Sequence, residues 1–175
     1  MHTQRTKISV KRRLLLAVVV ILAGLLQNCA LPVGRIGILL LIPLTVIIAM
    51  FEKEFAGTIY GILAGCIWDL STATSDGMKA LFLALTGCIC GLLIRYIIRN
   101  TLLSALALCS TATLLFSVGH WLFHVVAFET GAFGAFLRFY FPQMLITVLL
   151  TPFFYVVLRA LEKKYRAAEN KEGTF

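Results

Sequence analysis

Gly57-Thr58-Ile59-Tyr60-Gly61-Ile62-Leu63-Ala64-Gly65-Cys66-Ile67-Trp68-Asp69 is the stretch on which the fold turns. It carries no charge until Asp69, and its glycines recur at every fourth position. In a helix of 3.6 residues per turn, Gly57, Gly61 and Gly65 fall on one face. A ridge without side chains lets a second backbone approach closely, and helix association in lipid depends on that contact. Gly87 and Gly91 repeat the spacing further on. The five glycines are therefore expected at a helix-packing surface, inside the chain or toward a partner. Tyr60 and Trp68 lie off the ridge and are expected to face lipid or the membrane interface.

Outward from this stretch, charge-free intervals follow one another: 14–34, 36–51, 55–68, 80–94, 100–128 and 139–158. A perpendicular helix needs about 20 apolar residues to cross the hydrocarbon core, with about 17 the lower end. The first, fifth and sixth intervals satisfy this, whereas the second, third and fourth are short. Their ends are extended by side chains such as Lys79 and Arg95, which snorkel to the interface. The pattern predicts an all-α polytopic membrane protein, a single domain of six transmembrane helices in one bundle. The spans are placed at about 14–34, 36–51, 55–69, 78–98, 101–128 and 136–158, with a tail over 159–175 in which the charged segment Glu162–Phe175 is expected to fray. A count of five, or a re-entrant third segment, is the alternative arrangement. The first span begins like a signal peptide, but Asn28-Cys29-Ala30 is a poor cleavage site, so it is read as an uncleaved anchor.

Composition agrees with the bilayer as solvent. Of 175 residues, 60% are hydrophobic and only 14% charged, against about 25% charged in an ordinary soluble domain. The net charge of +8 is concentrated before Leu14 and from Arg159 onward, without a basic stripe carrying interleaved aromatics. Such flanks meet anionic headgroups and fix orientation, and no nucleic-acid partner is expected. With the N-terminus inside, thirteen basic residues are cytoplasmic and Arg35, Lys79 and Arg138 are outside. An even number of spans returns the basic tail to the same side, so both termini are expected in the cytoplasm.

The remaining polar residues offer little chemistry. Asp69 closes the third span, and Ser75-Asp76-Gly77 reads as a turn into the fourth. Asp69 is expected in a polar network or in contact with a partner. No second carboxylate accompanies it, so no catalytic role is assigned. His120 and His124 stand four apart, which suits a shared metal, yet no third ligand is evident; with Glu129 they form at most an outer-face polar cluster. No metal or cofactor is expected. The five cysteines sit in apolar stretches without a C-x-x-C pair and read as reduced packing residues. Pro43, Pro142 and Pro152 interrupt apolar runs. Kinks are expected at Pro142 and Pro152, with Thr147 and Thr151 bonding the carbonyls they free.

The glycine-spaced helix ending in Asp69, then Gly77-Met78-Lys79-Ala80-Leu81, then Gly87-x-x-x-Gly91, resembles the rod shape-determining membrane protein family MreD. Phe141-Pro142 through Thr151-Pro152-Phe153-Phe154-Tyr155 is similar to that family's closing span, and the resemblance covers nearly the whole chain. Cys66 and Trp68 stand where leucines are expected. The resemblance implies a non-enzymatic scaffold subunit of the bacterial cell-elongation complex, in the cytoplasmic membrane. There it would organise lateral peptidoglycan synthesis with an MreC-like bitopic protein, a RodA-type glycosyltransferase with its transpeptidase, and an MreB-type filament. It also implies a likeness to the substrate-binding S-components of energy-coupling-factor transporters. The alternative function is accordingly a small-molecule-binding transporter subunit using His120, Trp121, His124 and Glu129 near the outer face.

Overall fold

The computed structural model describes residues 2–29, 32–33, 36–37, 39–52, 54–71, 77–122 and 141–172, with side-chain environments over 11–28, 39–52, 54–71, 77–122 and 141–164. These residues form six helices: α1 His2–Cys29, α2 Leu41–Glu52, α3 Glu54–Ser71, α4 Met78–Tyr96, α5 Leu102–Trp121 and α6 Phe141–Glu172. Between α1 and α2, two short strands, β1 Pro32–Val33 and β2 Ile36–Gly37, pair antiparallel with Pro32 opposite Gly37.

The shortest helix organises the rest. From Leu41 to Met50 every residue of α2 is buried, and α2 packs on all five other helices. A helix that is apolar all round must be enclosed by protein or lipid, because no polar face is left for water. At about 1.5 Å per residue it is roughly 18 Å long, short of the roughly 30 Å hydrocarbon core. Within the span expected over 36–51, the described residues form strand β2 and a central twelve-residue helix. Pro43 stands in the first turn of α2, where its missing N–H has no intrahelical partner to lose. It causes no break.

Three helices, α4, α5 and α6 (over Phe141–Lys164), are long and apolar enough to cross a membrane by length and composition. The chain is a membrane protein on that ground. In α1 the charge-free part of the helix is confined to 14–29, and in α3 it lies between Glu54 and Asp69. Two expected boundaries move outward. The basic N-terminal segment is helical from His2, and the tail expected to fray continues α6 to Glu172. Both extensions prolong a long apolar helix, so each residue is added without a new nucleation step.

Side-chain contacts fix which helix ends lie together. Arg12 Nε of α1 donates to Glu52 Oε1 at the end of α2 (2.5 Å). Glu54, opening α3, pairs with Arg95 near the end of α4. Asn100, just before α5, donates to the Met50 carbonyl (3.1 Å). Phe51 packs on Tyr155 of α6 with ring centres 5.6 Å apart, and Arg12 and Glu162 line one crevice. The start of α1, the end of α2, the starts of α3 and α5, and the ends of α4 and α6 therefore share one end of the bundle. This is the basic end. There Lys11, Arg13, Arg159, Lys163 and Lys164 are exposed, while Glu52, Glu54 and Glu162 are partly buried.

Candidate functional site

The glycine ridge closes on a second small-residue face of the same chain. A Cβ placed on Gly57 would stand 2.9 Å from the Gly87 carbonyl oxygen and 2.5 Å from Ala49 Cβ. One on Gly61 would overlap the Leu83 carbonyl, one on Gly65 the Ala80 backbone, one on Gly87 the Gly57 carbonyl, and one on Gly91 the Glu54 Cα. All these approaches are under 3.0 Å, closer than real Cβ atoms come. The antiparallel α3–α4 pair is thus backbone against backbone, and Ala80 and Ala84 continue the face that Gly87 and Gly91 begin. Gly24 of α1 makes room for the Ile67 side chain of α3.

At the end opposite the basic one, the polar residues cap helices. Asp69 is buried at the last turn of α3, and its Oδ2 accepts from the Ala80 N–H (3.0 Å). Ala80 lies in the first turn of α4, whose N-cap residue is Gly77. Glycine has no side chain to cap with, and Gly77 sits at φ 66, the left-handed region that favours glycine. The cap is supplied from the neighbouring helix instead. A carboxylate there also meets the positive end of the α4 dipole. Lys79 Nζ lies 3.6 Å from Asp69 Oδ1 and 5.8 Å from the centre of the Trp68 ring. Lys79 therefore turns inward rather than snorkelling outward as the sequence suggested. Its side chain is only 15% exposed.

Gln27 does for α2 what Asp69 does for α4: its Oε1 accepts from the Leu41 N–H (3.0 Å). Nothing in the sequence marked it, because a lone glutamine near a span end has no pattern. Tyr60 and Trp68, expected toward lipid, are both buried. Tyr60 Oη donates to the Arg13 carbonyl (2.9 Å), and Trp68 stacks on Phe116 at 4.9 Å. Tyr60 thus ties α3 to α1, and Trp68 ties it to α5.

Phe116 gathers Trp68, Phe82 (5.3 Å) and His120 (6.1 Å) into an aromatic cluster joining α3, α4 and α5. His124 and Glu129, expected beside His120, lie outside the described residues, as does Arg138. Among the described residues, no three His, Cys, Asp or Glu side chains come together as a metal set would. Cys90 and Cys109 are buried and Cys66 exposed, all as free thiols. In α6, Pro152 interrupts the helix interior, whereas Pro142 stands in its first described turn. Thr147 and Thr151 donate to the carbonyls of Gln143 and Thr147 (2.8 and 3.1 Å), not to that of Val148, which Pro152 leaves free.

No protein-family model, curated protein or solved structure matches the chain. The arrangement itself is one of cohesion. The ion pairs Arg12–Glu52, Asp69–Lys79 and Glu54–Arg95 each tie one helix to another.

Proposed function

We propose that the chain is a non-enzymatic scaffold subunit of a bacterial cell-elongation complex, organising lateral peptidoglycan synthesis and so cell shape. It would sit in the cytoplasmic membrane with six spans and both termini inside. The resemblance of the Gly57–Asp69 and Gly77–Leu81 stretches to the MreD family motivates this reading. The observation that carries it is the use made of the polar groups: Asp69, Lys79, Gln27, Glu52 and Glu54 each hold one helix to another. A rigid bundle of this kind suits a docking platform.

Because the glycine faces of α3 and α4 close on each other, contacts with an MreC-like bitopic protein and a RodA-type glycosyltransferase with its transpeptidase fall to other surfaces. The outward flank of the α3–α4 pair carries exposed Ile59, Ile62, Leu85 and Ile89 and is the first candidate. An MreB-type filament would meet the basic end. Depletion in a rod-shaped host, with affinity capture of the tagged chain, tests the proposal. Rounded cells and co-purification of the MreC-like protein are expected. Cells that stay rod-shaped, with no MreC-like protein captured, would refute it.

A further inference from the structure

At the basic end a crevice opens between the last turns of α2 and α4, lined by Ala49, Met50, Gly91, Ile94 and Arg95. It is open on one side and holds about 340 Å³, at the lower end of the roughly 300–1,000 Å³ of ligand-holding clefts. Among the described residues its walls are apolar except at Arg95. Arg95 lies on the wall with its side chain 52% exposed, and pairs with Glu54 through one of its five N–H donors. Arg99 follows four residues on, exposed and without an acidic partner among the described residues. Two arginines against one glutamate leave this end of α4 positive.

We propose that this crevice holds an acyl chain of an anionic phospholipid, with the lipid phosphate at Arg95 and Arg99. α4 is apolar enough to cross the bilayer, so the crevice at its charged end lies at headgroup depth with hydrocarbon beside it. A polar head over an apolar chain matches arginine over Ile94 and Met50. The proposal rests on the membrane reading and is independent of the scaffold role.

The test uses the full-length protein in nonionic detergent, melted with phosphatidylglycerol or phosphatidylethanolamine of identical acyl chains. Phosphatidylglycerol is expected to raise the melting temperature by about 5 °C more than phosphatidylethanolamine. In native mass spectrometry one phosphatidylglycerol should stay bound at energies that strip the zwitterionic lipid. Arg99→Gln should lose at least half of the difference while leaving the lipid-free melting temperature unchanged. Ile94→Trp, which fills the crevice, should abolish it; if that variant does not fold, Arg99→Gln carries the test alone. Lys163→Gln with Lys164→Gln, elsewhere on the basic end, should leave the difference intact. Equal shifts from both lipids, or equal losses in the lysine and arginine variants, overturn the proposal. A photo-crosslinker at Ile94 that traps a protein rather than lipid in native membranes also overturns it.

Discussion

Asp69 shows how one carboxylate serves two helices. It ends α3, and eleven residues later it accepts the Ala80 N–H that Gly77 has no side chain to satisfy. Replacing it with alanine leaves that N–H unbonded and takes the Asp69 carboxylate away from the Lys79 ammonium, whose side chain is only 15% exposed. Breaking such a pair from one side is expected to cost about 2–4 kcal/mol. Asp69→Asn keeps an acceptor for the N–H and should cost about 1 kcal/mol. Adding Lys79→Met to Asp69→Ala should restore part of the loss, because the ammonium charge goes with it. Reversible unfolding in mixed micelles would measure all three. If Asp69→Ala unfolds with the wild type, the remote cap is not a stabilising contact. The sequence singled out Asp69 but not its partner, since a cap reaching across a turn has no periodic signature. Glu52 and Glu54 appeared there only as boundaries of apolar runs. Their pairing with Arg12 and Arg95, some forty residues distant in each case, depends on which helix ends the fold brings together.

For the helices, the glycine register was the most legible feature, because a four-residue repeat of missing side chains has a single geometric consequence. What it could not tell was which surface it meets. α4 completes the contact partly through Ala80 and Ala84, and alanine is too common in apolar helices to be noticed. The geometry separates the glycines sharply. Gly61→Ala and Gly65→Ala drive a methyl into the α4 backbone, which cannot move aside as a side-chain tip would. Each is expected to cost about 1–3 kcal/mol from overpacking, and leucine at Gly61 more. Gly119 lies in α5 with nothing within 4 Å of an added Cβ. Gly119→Ala should therefore stabilise by up to about 1 kcal/mol, the difference in helix propensity. Gly77 also has open space, but its positive φ makes alanine there cost about 1–2 kcal/mol. Melting temperatures of the four alanine variants in one detergent check the order. A loss at Gly119 as large as at Gly65 would mean that the close approach of α3 to α4 is not what those glycines permit. The second element shows a related limit of the sequence. A continuous apolar run of sixteen residues reads the same whether lipid or protein surrounds it, and only the packing of five helices around α2 distinguishes them.

On the scale of the whole molecule, the deciding fact is that Arg12, near the start of α1, and Leu158 and Glu162, near the end of α6, line one crevice with Phe51 and Glu52 of α2. The first half of α1 and the second half of α6 therefore meet at the same end of the bundle. The charge around them sets the direction. The basic end exposes Lys11, Arg13, Arg159, Lys163 and Lys164, whereas the opposite end holds Lys79 folded against Asp69. Basic residues near span ends are retained on the cytoplasmic side, so both termini are expected inside. Fluorescent-protein fusions at residue 1 and at residue 175 should both fluoresce, and alkaline phosphatase at either place should stay inactive. Phosphatase inserted between Thr72 and Asp76, beyond the last turn of α3, should be active. Because the basic residues lie on several helices, neutralising Lys11 and Arg13 alone should leave this pattern unchanged. Removing Arg159, Lys163 and Lys164 as well should produce a mixed population. Active phosphatase at one terminus and silence at the other would contradict the shared crevice itself. Activity at both would leave the bundle intact and reverse only its orientation.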